Sequence, residues 1–269
     1  MDITHFHGNH HLGDIMISFI VLYNIKQYFE DNNKTVYYYM RHEHIEQMND
    51  FKPIKGMQIF DISNAPPNSI ELWDCNDYIF EQNGRKNKYS KMYSGLSQNR
   101  YYLKYFNIKL KELNIPVTIK RFCYEDEDLF YRYEKLHEKY KNVDILIINS
   151  EPLSGQYVYN IDNWNKGISI LNEKYKIVTT KKVNENVSCT RDDNLRIKDI
   201  AAISTKVKVV IAINTGPLIS LFNKFTLTHI KKFYIFDNRV YLNYPNFEIK
   251  KKLRDISLNE LDNYITSTI

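Results

Sequence analysis

The stretch Val207-Lys-Val-Val-Ile-Ala-Ile-Asn-Thr-Gly-Pro217 joins an apolar run to a turn of small residues, and a segment suited to a helix follows. This order is typical of a strand that leads through a tight turn into a helix. The first amides of a helix have no intrahelical partner, and the helix dipole favours negative charge there. The turn is therefore a candidate phosphate site. The alternative is an ordinary capped turn, which so short a motif does not exclude.

Each residue of the turn has an expected role, whether the turn binds phosphate or only caps a helix. Thr215 can cap the helix predicted over residues 218–225 with its hydroxyl, and Gly216 lets a ligand approach the backbone. Pro217 suits the first helical position. Asn214 precedes them and is expected to face the same ligand.

Strands and helices are predicted to alternate along the whole chain. This alternation indicates parallel sheets joined by right-handed crossovers. With a boundary near residues 140–143, it predicts an α/β protein of two Rossmann-like domains, 1–142 and 143–269, whose sheets face a cleft. The predicted strands are residues 2–6, 35–40, 57–60, 70–73, 144–149, 176–180, 186–189, 207–213 and 233–236. The predicted helices are residues 15–29, 99–113, 125–140, 160–175, 195–204 and 218–225, with further helical segments between 247 and 266.

Composition narrows the class of protein. The 269 residues, 43% of them hydrophobic, suffice for two ordinary domains. The net charge of +5 is spread along the chain, which favours a small anionic substrate over nucleic acid. Asn, Lys, Ile and Tyr are used heavily while the chain has only 8 glycines, a pattern that indicates an AT-rich genome.

Cysteine usage and the N-terminus predict a cytoplasmic protein. Cys75, Cys123 and Cys189 are odd in number and form no C-x-x-C pair, which favours a reducing compartment. The N-terminus has no signal-peptide pattern. The most apolar stretch, from Ile15 to Ile25, is about half of the roughly 20 residues that a spanning helix needs, so no integral membrane segment is expected.

Two groups of residues carry a resemblance to a known family. One is Leu12-Gly13-Asp14 followed by an apolar helix. The other is Ile197 to Ser204, then Val207 to Ile213, then the Asn-Thr-Gly-Pro turn. In this order they resemble the GT-B glycosyltransferases, in particular the heptosyltransferase-like glycosyltransferase family 9. Two positions depart from its pattern: the family's acidic residue before Thr-Gly is Asn214 here, and its His after Gly-Pro-x is Ile219.

The resemblance implies a function and leaves an alternative. It implies inverting transfer of a hexosyl or heptosyl group from a nucleotide-sugar donor to a glycan or other hydroxyl acceptor, with no metal or cofactor. The two departures support the alternative of an inactive GT-B-derived binding or scaffold protein. A nucleotide-binding α/β enzyme of another kind, such as an epimerase, is a third hypothesis. Hydrolase, NTPase and dehydrogenase motifs are not found in the sequence.

Asp14 is the candidate catalytic base. The resemblance places the family's catalytic aspartate at this position, where a carboxylate can take a proton from the attacking acceptor hydroxyl. The alternative is that Asp14 caps the following helix, a common role for aspartate.

Four histidines crowd the beginning of the chain, at positions 5, 7, 10 and 11. One hypothesis is a metal site, but the nearby acids and cysteines lack ligand-like spacing, so no metal is predicted. We predict instead that His10, His11 and Gly13 contact the acceptor or the donor. His5 and His7 are expected to be exposed or to form caps.

A loop in the second half provides the remaining donor-site candidates. Ser150, Ser154 and Gly155 follow a predicted strand, and ligands of open α/β sheets bind outside the carboxyl ends of strands. This loop and the Thr215 turn should therefore line one crevice. Turn formation alone would also explain the serines.

Overall fold

The computed structural model describes residues 2–73, 80–82, 85–87, 98–153, 157–237 and 247–250. The chain divides into two compact units, the first extending to Tyr124 and the second beginning at Glu125. This division lies earlier than the boundary at 142 and 143 that the sequence suggests. The second unit therefore includes helix α4 (Asp128–Lys135), whose Arg132 Nη1 lies 2.8 Å from Asp199 Oδ1 within the same unit.

The first unit contains a four-stranded sheet in which every pair is parallel. Its strand order is β3-β2-β1-β4, and a separate antiparallel pair is formed by β5 and β6. The elements are β1 (Asp2–Gly8), α1 (Leu12–Asp31), β2 (Lys34–Met40), α2 (His42–Met48), β3 (Gln58–Asp61), a 3-10 turn (Ile62–Asn64), β4 (Ile70–Glu71), β5 (Phe80–Gln82), β6 (Arg85–Asn87) and α3 (Gln98–Glu112).

Helix α1 is buried on nearly all sides. Every residue from Ile15 to Tyr23 is buried, which confirms the helix predicted from the apolar run. The helix ends at Asp31, and Asn33 then adopts a left-handed φ of 50°. Asparagine tolerates this region better than other non-glycine residues and commonly ends helices. Among the described residues, all four non-glycine residues with positive φ are asparagines: Asn33, Asn114, Asn142 and Asn194.

The second unit contains a six-stranded sheet that is also parallel throughout. Its order is β12-β11-β10-β7-β8-β9. The elements are α4, a 3-10 turn (Glu138–Tyr140), β7 (Ile145–Ile148), α5 (Ile161–Asn172), β8 (Ile177–Thr179), β9 (Ser188–Cys189), a 3-10 turn (Thr190–Asp193), α6 (Ile197–Ser204), β10 (Val209–Ile213), α7 (Gly216–Ile219), α8 (Lys224–His229), β11 (Lys232–Phe236) and β12 (Phe247–Lys250).

The strand order of this sheet defines where a ligand is expected. The first strand, β7, lies between β8 and β10, so the direction of winding reverses between β7 and β10. In open α/β sheets the crevice outside the carboxyl ends of such a pair is the usual binding site. All residues of β7 and β10 are buried, as expected for parallel strands covered on both faces.

The structure corrects two predicted helices. The predicted helix over residues 218–225 is wrong: α7 has four residues, and α8 begins anew where Asn223 Oδ1 accepts a hydrogen bond from Thr226 N at 2.8 Å. Residues 247–250 form strand β12 rather than a helix, because β11 offers them a parallel partner. The rest of the predicted terminal helices lies outside the described residues. In the described part of the chain, no helix combines the length and the apolar character needed to cross a membrane.

Candidate functional site

Asp14 lies at the edge of the first sheet where the strands β1 and β4 end. It is the third residue of α1, and His11 is the N-cap residue, so the prediction that Asp14 caps the helix is wrong. Instead, Trp73 Nε1 donates a hydrogen bond of 3.0 Å to Asp14 Oδ1. Among the described residues, none donates a hydrogen bond to Oδ2. The half-buried carboxylate is therefore anchored through one oxygen.

The indole that anchors Asp14 is itself held rigidly. Trp73 is 1% exposed, and its ring meets those of Tyr102 and Tyr105 edge to face at centroid distances of 5.2 and 4.8 Å. Such contacts fix the direction of the Nε1–H bond. Trp73 lies 59 positions from Asp14 in the chain, and no local sequence pattern predicts this contact.

His10 lies at the same edge and is paired with a carboxylate. Its Nε2 is 2.8 Å from Glu71 Oε1, and the two side chains are 18% and 28% exposed. Glu71 ends β4, whose register with β1 pairs it with His7. His11 is exposed, and Gly13 is the second residue of α1. His10, His11 and Gly13 thus lie within four positions of Asp14 around the start of α1, and their contact with the acceptor or the donor stays a prediction.

His5 and His7 are half-buried strand residues, so the expectation that they are exposed or form caps is wrong. Both lie in β1, where His5 Nδ1 is 2.9 Å from Tyr39 Oη and His7 Nδ1 is 2.9 Å from Ser69 Oγ. The loop after β1 contains only residues 9–11. Within the described ranges, no three His, Cys, Asp or Glu side chains are grouped so that they could hold a metal ion.

Gly8, the last residue of β1, lies directly against a buried hydroxyl. A Cβ atom at position 8 would be 2.6 Å from Tyr38 Oη, closer than real Cβ atoms come. Tyr38 is fully buried, and burial raises the pKa of its hydroxyl well above the usual value. The hydroxyl thus stays protonated, and glycine is needed for this close approach.

In the second unit, Asn149 connects the loops after β7 and β8. Its side chain is fully buried and bonds to the backbone of the neighbouring strand end. Oδ1 accepts from Thr180 N at 3.1 Å and from Lys181 N at 2.8 Å, while Nδ2 donates to Lys181 O at 3.1 Å. Ser150 Oγ lies 3.3 Å from Thr180 Oγ1. Sequence reasoning missed Thr180 and Lys181, although their place directly after an apolar strand is a usable signal.

The turn after β10 differs from the prediction in its capping. The Thr215 hydroxyl donates to Ile213 O at 3.3 Å and makes no cap bond to the helix. Pro217 is the second helical residue, since α7 begins at Gly216. A helix of four residues has few aligned dipoles, so it supports a phosphate site less than the predicted helix would.

A buried carboxylate lies behind this turn. Asn214 Nδ2 donates a short hydrogen bond to Asp237 Oδ2, and Asp237, which directly follows β11, is fully buried. Ile219, at the family's histidine position, is 6% exposed and belongs to the core. The predicted contacts Ser154 and Gly155 lie outside the described residues.

An aromatic cluster packs around Phe236 at the carboxyl end of β11. Trp164 of α5 meets Phe236 at a centroid distance of 5.0 Å, and Tyr157 meets the same ring at 5.9 Å. Tyr159 lies 5.9 Å from the Trp164 ring, and burial raises the pKa of its hydroxyl to about 12. The cluster gives the loop after β7 an apolar support.

Comparison with known proteins identifies the fold. No protein-family model matches the chain, and no curated protein sequence matches it either. Solved structures do match: E. coli heptosyltransferase WaaC with ADP-2-deoxy-2-fluoro heptose is 9% identical over 100% of both chains, with a TM-score of 0.63. E. coli ADP-heptose lps heptosyltransferase II is 8% identical over 99% of both chains, with a TM-score of 0.58.

A third structure, the glycosyl transferase family 9 protein from Veillonella parvula DSM 2008, is 10% identical over 100% of this chain and 90% of its own, with a TM-score of 0.54. At such identities the likeness shows the fold. The chain therefore has the α/β fold of the heptosyltransferases, with two parallel sheets, and the predicted fold class and resemblance are confirmed at that level.

Proposed function

We propose that the chain is a glycosyltransferase that moves a sugar from a nucleotide-sugar donor to a hydroxyl of a glycan-type acceptor. The observation that carries the proposal is the position of Asp14, a half-buried carboxylate anchored by Trp73 at the carboxyl edge of a parallel sheet. The shared fold adds support, since WaaC was solved with ADP-2-deoxy-2-fluoro heptose, a nucleotide-sugar analogue.

In the proposed mechanism Asp14 is the general base. Its Oδ1 stays on the Trp73 indole while Oδ2 takes the proton of the acceptor hydroxyl, whose oxygen attacks the anomeric carbon of the donor. The bond to the diphosphate breaks as the new glycosidic bond forms, so the configuration inverts. His10, whose Nε2 lies 2.8 Å from Glu71 Oε1, is proposed to contact the acceptor at the same edge.

The second unit is proposed to bind the donor at its switch point. Ser150 follows β7 and Thr215 with Gly216 follows β10, so polar groups flank the expected crevice. These groups would stabilise the departing nucleoside diphosphate as charge develops on it, without a metal or a cofactor.

The test replaces Asp14 by asparagine. Asp14→Asn keeps an acceptor for the Trp73 indole but cannot take the proton, so turnover should fall by about 10²- to 10⁴-fold while nucleotide binding and thermal stability stay unchanged. Asp31→Asn is the matched control, because Asp31 ends the same helix, is exposed and bonds only Gln27 among the described residues. Transfer would be measured as nucleoside diphosphate release from a panel of ADP-, UDP- and GDP-sugars with glycan acceptors. Full turnover by Asp14→Asn would remove this residue from the mechanism.

The buried Ile219 favours a second candidate function, a binding protein without catalysis. A side chain that is 6% exposed cannot contact a ligand as a histidine at this position could. This candidate predicts nucleotide binding without turnover of any donor. Nucleoside diphosphate at 100 times its dissociation constant should stabilise the protein by about 2.7 kcal/mol, which a thermal shift detects. Such a shift combined with the absence of transfer would favour the binding protein.

A further inference from the structure

Lys181 occupies a fixed position at the carboxyl end of β8, the strand next to β7 at the switch point. Its N–H donates to Asn149 Oδ1 at 2.8 Å, and its carbonyl accepts from Asn149 Nδ2 at 3.1 Å. Thr179 Oγ1 donates to the same carbonyl at 2.9 Å. Three hydrogen bonds thus hold the backbone from which the Lys181 side chain extends.

The charge of Lys181 is not neutralised within the described part of the chain. Its side chain makes no ion pair there, and the residue is half-buried. The next residue behaves differently: Lys182 Nζ is 3.1 Å from Glu185 Oε2 and 3.1 Å from Asp192 Oδ2, and Lys182 is exposed. Lys182 therefore already has counter-ions, whereas the adjacent Lys181 is available to an anionic ligand.

The strand end that bears Lys181 also restricts the kind of ligand. In doubly wound sheets that bind dinucleotides, an acid at the end of the second strand binds the ribose 2′-hydroxyl, or a nearby Arg accommodates a 2′-phosphate, so this strand end faces the nucleotide. β8 is the second strand of this sheet in chain order. An ammonium group has only donors and binds phosphate oxygens as a point charge. Ser150, whose hydroxyl lies 3.3 Å from Thr180 Oγ1 beside Lys181, adds a neutral donor.

We propose that Lys181 binds a phosphate oxygen of the nucleoside diphosphate part of the donor, with Ser150 as its neighbour. This inference rests on the proposed function, because it requires a nucleotide at the switch point of the second unit. It goes further in assigning the positive charge that meets the diphosphate to the loop after β8. The short α7, whose N-cap residue Thr215 makes no side-chain cap bond, is then not the main source of phosphate affinity.

The experiment compares three variants of the full chain, Lys181→Met, Lys181→Arg and Lys182→Met. Binding is measured by calorimetry with whichever of ADP, GDP, UDP and CDP binds the unmodified protein most tightly, and with its parent nucleoside. We expect Lys181→Met to weaken the diphosphate by about 10- to 100-fold, as loss of a charged hydrogen bond does. The parent nucleoside should bind unchanged, and Lys181→Arg should restore most of the affinity.

Lys182→Met is the matched control, and it should change the diphosphate affinity by less than about twofold because exposed ion pairs contribute little. If the unmodified protein binds a nucleoside diphosphate and Lys181→Met binds it equally well, the inference is overturned and the proposed function stands. Equal weakening of nucleoside and diphosphate would also overturn it, since the side chain would then act on the fold. If no nucleotide binds the unmodified protein, both the inference and the proposed function fail.

Discussion

Replacing Asn149 by alanine should destabilise the second unit because the backbone N–H of Lys181 loses its acceptor and that of Thr180 loses one of two. Asn149 Oδ1 accepts from Thr180 N and Lys181 N, and Thr180 N also donates to Ile147 O at 3.1 Å. A buried donor left without a partner costs about 1–3 kcal/mol. The Lys181 carbonyl keeps its bond from Thr179 Oγ1, and water reaches the half-buried Lys181. We therefore expect a loss of about 1–3 kcal/mol, a sizeable part of the 5–15 kcal/mol by which domains are stable.

The two tryptophans of the chain make this loss measurable in one unit at a time. Trp73 lies in the first unit and Trp164 in the second. In a Trp73→Phe background, urea unfolding followed by fluorescence reports the second unit alone. With a urea dependence of about 1–3 kcal/mol per molar, the midpoint should fall by about 1 M.

The matched control for this measurement is Asn172→Ala. Asn172 is half-buried on the same unit, and its amide makes one exposed hydrogen bond, of 3.2 Å to Asn186 O. Its loss should change the free energy of unfolding by no more than about 0.5 kcal/mol. If the two substitutions shift the midpoint equally, the Asn149 amide does not hold these loops together.

Two further predictions concern buried groups outside the donor loops. Gly8→Ala should destabilise the first unit by about 1–3 kcal/mol because its Cβ would meet Tyr38 Oη at 2.6 Å, and Tyr38→Phe in the same chain should relieve most of this loss, as a double-mutant cycle would show. Additive effects would contradict the clash. Lys198, with a side chain 6% exposed, lies 2.8 Å from Asp128 Oδ2 and 2.9 Å from Asp126 Oδ2, and its hydrogen bond to Asp128 lowers the pKa of that carboxyl. A carboxyl whose pKa is lower in the folded state adds stability above its unfolded pKa and loses it as the pH falls through the folded pKa. Lys198→Met should therefore cost about 2 kcal/mol at neutral pH, because it leaves Asp126, which is 11% exposed, without this cation, while water solvates Asp128, which is 47% exposed. It should also flatten the loss of stability that acid titrations of unfolding show below about pH 4. An unchanged acid profile would exclude this pairing as its source.

The parallel strands and the long helix could be predicted because their signals are local. Ile145 to Ile148 is apolar throughout, which is what burial on both faces of a parallel sheet requires. Helix α5 begins with an equally local contact, since the N-cap residue Asn160 accepts a hydrogen bond from Asn163 N at 3.0 Å. The strand β12 could not be predicted in this way, since its conformation depends on pairing with β11.

The candidate site was predictable only in part, for the same physical reason. Asp14 carries a recognisable motif, but the indole that orients it comes from Trp73, far along the chain. Lys181 and Asp237 stand directly after predicted strands, yet only the strand order shows that both lie beside the switch point. The predicted roles of Thr215 depended on a longer helix, which Asn223 interrupts by starting another one.

The asparagines with a left-handed backbone conformation relate the turns of this protein to the base composition of its gene. Glycine is the usual residue at such positions, and its codons begin with two guanines, whereas those of asparagine begin with two adenines. All four non-glycine residues with positive φ in the described ranges are asparagines, in a chain with only 8 glycines. A nucleotide bias that removes guanine can thus be absorbed without losing the helix stops, because asparagine is the side chain that tolerates this conformation best. A change in base composition would then alter which residue occupies a turn and leave the fold unchanged.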